Sequence, residues 1–126
     1  MRSSLILLSL LAPVVAGAAP LPPAARADVD ALLTRLQTSG CEFNRNGSWH
    51  AGAEARAHLL KKLDYLEGKG LVTTAEQFIE QGASSSSMSG KAYWVRCAGQ
   101  APVESAGWLK AQLQQLRAAR AASSPR

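Results

Sequence analysis

The chain has 126 residues, a formal net charge of +5 and 47% hydrophobic but only 6% aromatic residues, which leaves room for one small domain with a modest core. All nine Asp and Glu, and nine of the fourteen Lys and Arg, fall between Ala27 and Leu116. The folded part is therefore neutral, the excess positive charge sits on the flanks, and nucleic acid is excluded as an expected partner.

The amino end reads as an export signal. Met1-Arg2 is a short positive start, Leu5 to Val15 is apolar apart from Ser9 and Pro13, and Ala16-Gly17-Ala18 offers small residues for cleavage. The run is shorter than the ~20 residues that cross a bilayer, and no second run follows, so no transmembrane segment is expected in the mature chain. Residues 1–18 are the expected signal peptide and the periplasm is the expected compartment, with secretion as the alternative. Neither cysteine stands near the junction, which argues against a lipid anchor.

Pro20, Pro22 and Pro23 make 19–27 a Pro/Ala-rich linker. Val29, Leu32, Leu33 and Leu36 then recur at helical spacing until Gly40 stops the helix. "CEFNR" alternates Cys41, Phe43 and Arg45 against Glu42 and Asn44, a short strand that Asn46-Gly47 ends in a sharp turn. A second helix is predicted from about Ala51 to Glu67, closed by Gly68 and Gly70. Thr73 with Glu76, or Thr74 with Gln77, makes a capping box for a short third helix through Phe78 and Ile79, ended by Gly82. "AYWVRC" is a second strand with Tyr93, Val95 and Cys97 on one face. Ser105 can cap a last helix striped by Leu109, Leu113 and Leu116. Residues 117–126 read as a basic, disordered tail whose contact, if any, is a weak one with anionic envelope surfaces. The expected fold is α+β: a single domain over 28–116 with about four helices around a short two-stranded antiparallel sheet.

Cys41 and Cys97 are the only cysteines, and an oxidising compartment favours a disulfide between them. Closing a loop of about 57 residues is worth roughly 4 kcal/mol in the chain-entropy model. The competing reading, a metal held by Cys41, His50, His58 and Cys97, lacks any local half-site such as C-x-x-C, so neither a metal nor another cofactor is expected. Cys41 facing Cys97 in antiparallel strands sets Phe43 opposite Val95 and Arg45 opposite Tyr93. The Arg45-Asn46-Gly47 corner then sits beside the serine loop. On the second helix Ala55, Leu59, Leu63 and Leu66 form an apolar stripe, with Lys62 inside it and His58 on its edge. A lysine there has to find acceptors or reach outward, because an unpaired buried ammonium is costly.

The serine stretch "GASSSSMSGKAYWV" fails the phosphate-loop spacing, since Gly82 precedes Gly90 by eight and Ala92 follows Lys91. It also lacks S-x-x-K, because Met88 stands where serine is needed, and it lacks G-x-S-x-G. A nucleophile from Ser84, Ser86 or Ser87 activated by His58 or Lys62 is the enzymatic reading. The plainer reading makes these serines a turn with local hydroxyl bonds. Trp49, Trp94 and Trp108 suit core or rim packing better than a sugar platform, and no two carboxylates are spaced for acid–base work.

"FNRNGSW", "AEARAHLLKK" and "TAEQFIEQGASSSSMSGKAYWV" together resemble the YfeK-like family of small exported bacterial proteins, a family of unknown function. The resemblance runs from about Asp28 to Leu116. It implies a periplasmic setting and no established activity, and its recurring elements are Arg45-Asn46-Gly47, His58-Leu59, Lys62, Phe78-Ile79, Ser84, Ser86, Ser87, Gly90 and Tyr93. The functional expectation is a non-catalytic binding or envelope-associated structural protein. Its candidate corner is formed by Arg45, Asn46, His58, Lys62, Ser84, Ser86, Ser87 and Tyr93, and the alternative is a small serine hydrolase built on the same loop.

Overall fold

The computed structural model describes residues 20–123; the expected signal peptide lies outside the described residues. Helix α1 spans Pro23–Thr38 and begins inside the segment expected as a linker. Proline suits the first helical turn, where its missing N–H has no partner to lose and its φ is already helical. Leu21, just upstream, is buried, and its N–H donates to the Glu67 carboxylate at 3.1 Å. From Leu21 onward the segment therefore belongs to the fold and is not a free linker.

Strands β1 (Glu42–Arg45) and β2 (Ser48–Ala51) form a hairpin. Asn46 and Gly47 both have positive φ, 52° and 85°, the two-residue turn whose twist matches that of paired strands. Sequence reasoning placed the turn but passed directly to the next helix, so β2 is an addition to the expected pair. Strands β3 (Trp94–Arg96) and β4 (Val103–Glu104) complete a four-stranded antiparallel sheet in the order β2-β1-β3-β4. Two strands were missed for one reason: four- and two-residue strands are too short to show a period. The register pairs Phe43 with Val95 and Glu42 with Arg96, and the Cys41–Cys97 disulfide closes the ladder one step further on.

Helix α2 spans Gly52–Gly68, α3 Ala75–Gly82 and α4 Ser105–Ser123. The α3 cap is the Thr74 version: its hydroxyl accepts from Gln77 N at 3.1 Å, while the Gln77 carboxamide oxygen accepts from Thr73 N and Oγ1. The expected Ser105 cap is corrected. Its hydroxyl is buried without a partner among the described residues, and its N–H donates instead to Tyr93 O at 2.9 Å, because β4 runs straight into α4. The core gathers Val29, Leu32, Leu33 and Leu36 of α1, Leu59 and Leu63 of α2, Phe78 and Ile79 of α3, and Leu109 and Leu113 of α4. From the strand side it takes Phe43, Tyr93 and Val95.

Residues 117–123, expected as tail, continue α4. Arg117 and Arg120 donate to opposite oxygens of the buried Asp28 carboxylate at 3.0 and 2.7 Å. Burial alone would raise the Asp28 pKa, but the bonds from Arg120 and Arg117 outweigh it and hold the carboxyl below its usual range. Two of the flanking charges are thus paired within the fold, while their side chains stay about half exposed.

Candidate functional site

Lys62 leaves the apolar stripe of α2 half-buried. Its Nζ donates to the Ser85 carbonyl at 2.9 Å and to the Tyr93 hydroxyl at 3.0 Å, so the ammonium is solvated by protein oxygens and not by a counter-ion. The serine loop that supplies the carbonyl is itself tightly bonded. Tyr93 N donates to Ser84 O and Ser86 N to Lys91 O, both at 2.9 Å, and Gly90, at φ 72°, closes the turn by donating to Ser86 O. The Ser86 hydroxyl, buried, accepts from Met88 N and Ser89 N at 3.3 Å each and from Asn46 Nδ2 at 3.4 Å. Ser89 Oγ returns a bond to Asn46 Oδ1 at 2.7 Å. The β1–β2 turn and the serine loop are thereby laced together through Asn46.

His58 connects the two cations. Its Nδ1 lies 3.0 Å from Arg45 Nη1 and its Nε2 3.3 Å from the Tyr93 hydroxyl. Guanidinium can only donate, so Nδ1 accepts and the ring proton is assigned to Nε2, which donates to Tyr93. Burial, then the charges of Arg45 and Lys62, push the His58 pKa down to about 4, so it is neutral at neutral pH, as this bonding requires. Burial and then Arg45 lower Lys62 to about 8. Burial raises Tyr93, with Arg45 opposing, and the phenol stays protonated. While Lys62 is charged, the Tyr93 oxygen accepts two bonds and its own hydrogen has no acceptor among the described residues.

A cavity of about 160 Å³ opens here, lined by Arg45, Asn46, His58, Lys62, Tyr93 and the loop residues Ser86, Ser87 and Met88. It holds two cations and no carboxylate. A larger hollow between α3 and α4, about 350 Å³, differs in this respect: its cations are already matched, Arg117 to Glu76 at 2.5 Å and Lys110 to Glu80 at 4.0 Å.

Seven of the eight corner residues picked from the sequence line this cavity. Ser84 does not, because its hydroxyl turns back to donate to Ile79 O at 2.5 Å. No hydrogen bond joins a serine hydroxyl to His58 or Lys62 among the described residues, so the nucleophile–base pair of the enzymatic reading is not assembled. Sequence reasoning missed Met88, which is 99% exposed at the cavity edge, and the backbone carbonyl of Ser85, which no side-chain pattern could announce. The four side chains of the competing metal reading are engaged elsewhere: Cys41 and Cys97 are bonded to each other, His50 pairs with Glu54, and His58 contacts Arg45. Trp49 lies under the Arg96 guanidinium at 4.0 Å, and Trp108 packs on the core, both away from the cavity.

Fold and corner together define a small, disulfide-linked α+β domain with a carboxylate-free cavity that carries two cations. The chain belongs to the family of unknown function DUF5329, which matches residues 23–117. It is similar to the uncharacterized protein YfeK of Salmonella typhimurium, 44% identical over 68 residues. That match covers 53% of this chain and 55% of the relative, so the chain spans about half the length of the curated protein it matches. No solved structure matches the chain. Among the described residues no helix is long and apolar enough to cross a membrane.

Proposed function

We propose that this is an exported, non-catalytic binding protein whose corner holds a small oxyanion. The observation that carries the reading is the convergence of Arg45, Lys62 and the Tyr93 hydroxyl on one open cavity with no carboxylate to neutralise the cations. An oxyanion supplies acceptors for their remaining hydrogens, and charge-assisted bonds of that kind are the stronger class. Export rests on the pattern of Met1 to Ala18, and the disulfide suits an oxidising compartment. The bonding of Ser84 and Ser86 to backbone and Asn46 speaks for a structural loop and against a hydrolase.

The test is calorimetric titration of the mature protein with sulfate, phosphate and acetate, alongside Arg45→Gln and Lys62→Met. Saturable binding of at least one anion, weakened in both variants, supports the reading. Absence of heat with all three, or stoichiometric labelling of a loop serine by a fluorophosphonate, overturns it. Intact mass of protein recovered from the periplasm checks cleavage before Ala19.

A further inference from the structure

We propose that the Lys62 amine captures carbonyl compounds reversibly, so that the corner takes a small oxo acid, its carbonyl carbon joined to Lys62 as an imine and its carboxylate held by Arg45. This rests on the oxyanion reading and sharpens it to a ligand class. Three features of the geometry lead there. Lys62 Nζ borders the open cavity, and its partners are a carbonyl and a phenol rather than a carboxylate. No ion pair therefore locks the nitrogen in its charged form. Arg45 and Lys62 are joined through His58 and Tyr93 by contacts of 3.0, 3.3 and 3.0 Å, which sets an anion-binding fork and an amine around one space. The Tyr93 hydroxyl, 3.0 Å from the amine, keeps its proton and sits where a proton must be exchanged.

The chemistry balances without an added reagent. The free amine attacks the carbonyl carbon, forming a C–N bond and moving the carbonyl π pair onto oxygen. One N–H proton of the adduct passes to the alkoxide to give a hydroxyl. Tyr93 then gives its proton to that departing hydroxyl and recovers the second proton from the nitrogen, so water leaves and the neutral imine remains. Burial favours this course, since it lowers the Lys62 pKa to about 8 and raises the fraction of free amine at neutral pH. Lys61, the adjacent residue, is exposed and serves as an internal control.

The test treats the full mature protein with glyoxylate or succinic semialdehyde, and separately with butanal, in the presence of cyanoborohydride, which fixes any imine as a secondary amine. Peptide mapping then compares Lys62 with Lys61 and the other lysines. Labelling of Lys62 at least about tenfold faster than Lys61 is expected, and Arg45→Gln should lower the ratio of oxo-acid to butanal labelling at Lys62. The wild-type comparison needs no variant to fold. Equal labelling of Lys61 and Lys62, or an unchanged ratio in Arg45→Gln, overturns the proposal. If no adduct forms while the anion titrations succeed, the imine falls and the oxyanion reading stands; if both fail, both fall.

Discussion

Lys62 and Tyr93 meet at 3.0 Å in a half-buried setting, so each partly justifies the other's burial. Lys62→Met and Tyr93→Phe keep the stem and the ring and remove one polar end each. Denaturant unfolding of the double-mutant cycle should show a coupling of about 0.5–1.5 kcal/mol. Lys62→Met and Ser86→Ala should instead add to within about 0.5 kcal/mol, because the Ser86 hydroxyl answers Asn46 and two backbone N–H groups, not the lysine. His58 makes a separate expectation about pH. Folded, it stays neutral down to about 4, whereas unfolded it protonates near 6.5, so the unfolded chain binds more protons between those values and stability falls on acidification through that window. Wild type should lose more stability between pH 7 and 4.5 than His58→Gln, measured by urea midpoint at each pH. A larger loss in the variant would place the ring proton differently.

At the level of elements, the site exists because two turns and one helix are brought to one end of the sheet. The β1–β2 hairpin carries Arg45 and Asn46, the serine loop follows α3, and α2 presents Lys62 and His58 to both. What sets α2 in position is its first residue. A Cβ on Gly52 would stand 2.6 Å from Leu36 O and 2.9 Å from Gln37 Cα, both backbone atoms of the α1 terminus that cannot swing aside. Gly52→Ala should therefore cost about 1–3 kcal/mol by forcing the helices apart. Gly107, inside the first turn of α4 with nothing within 4 Å of its would-be Cβ, should respond with the opposite sign. Gly107→Ala should gain about 0.5–1 kcal/mol by limiting the unfolded chain. Thermal melts of the two variants side by side check the pair, and two shifts of the same sign would remove the close-approach argument.

Across the whole molecule, two long-range ties close the chain on itself. The disulfide links residues 56 apart, and the Asp28 clasp binds the end of α4 to the start of α1. Ending the chain at Leu116 would strip both guanidiniums from a carboxylate whose side chain is 8% exposed. The expected cost is roughly 1–3 kcal/mol, moderated because the two arginines are about half exposed. The same truncation should cost less in an Asp28→Asn chain, since no charge is then left unpaired. Equal costs in both backgrounds would mean that the lost helical turn, and not the clasp, carries the effect.

By itself the sequence determined the amphipathic stripes of four helices, the Asn46-Gly47 turn, the Cys41–Cys97 pairing and the Phe43–Val95 register. Each is local, or follows from a period of 3.6 or 2 combined with one crosslink. It also singled out Lys62, because a cation inside an apolar stripe stands out against the period. Only the tertiary structure decided the rest. Strands β2 and β4 exist because neighbouring strands offer them ladder bonds, not because two or four residues can declare a strand. Arg117 and Arg120 are helix and clasp, not tail, because Asp28 waits 89 and 92 residues away. The role of each serine hydroxyl was likewise unreadable in a run of four. Ser84 answers Ile79 O and Ser86 answers Asn46 and the loop backbone, and which way a short hydroxyl turns is set by the acceptors and donors that folding places around it.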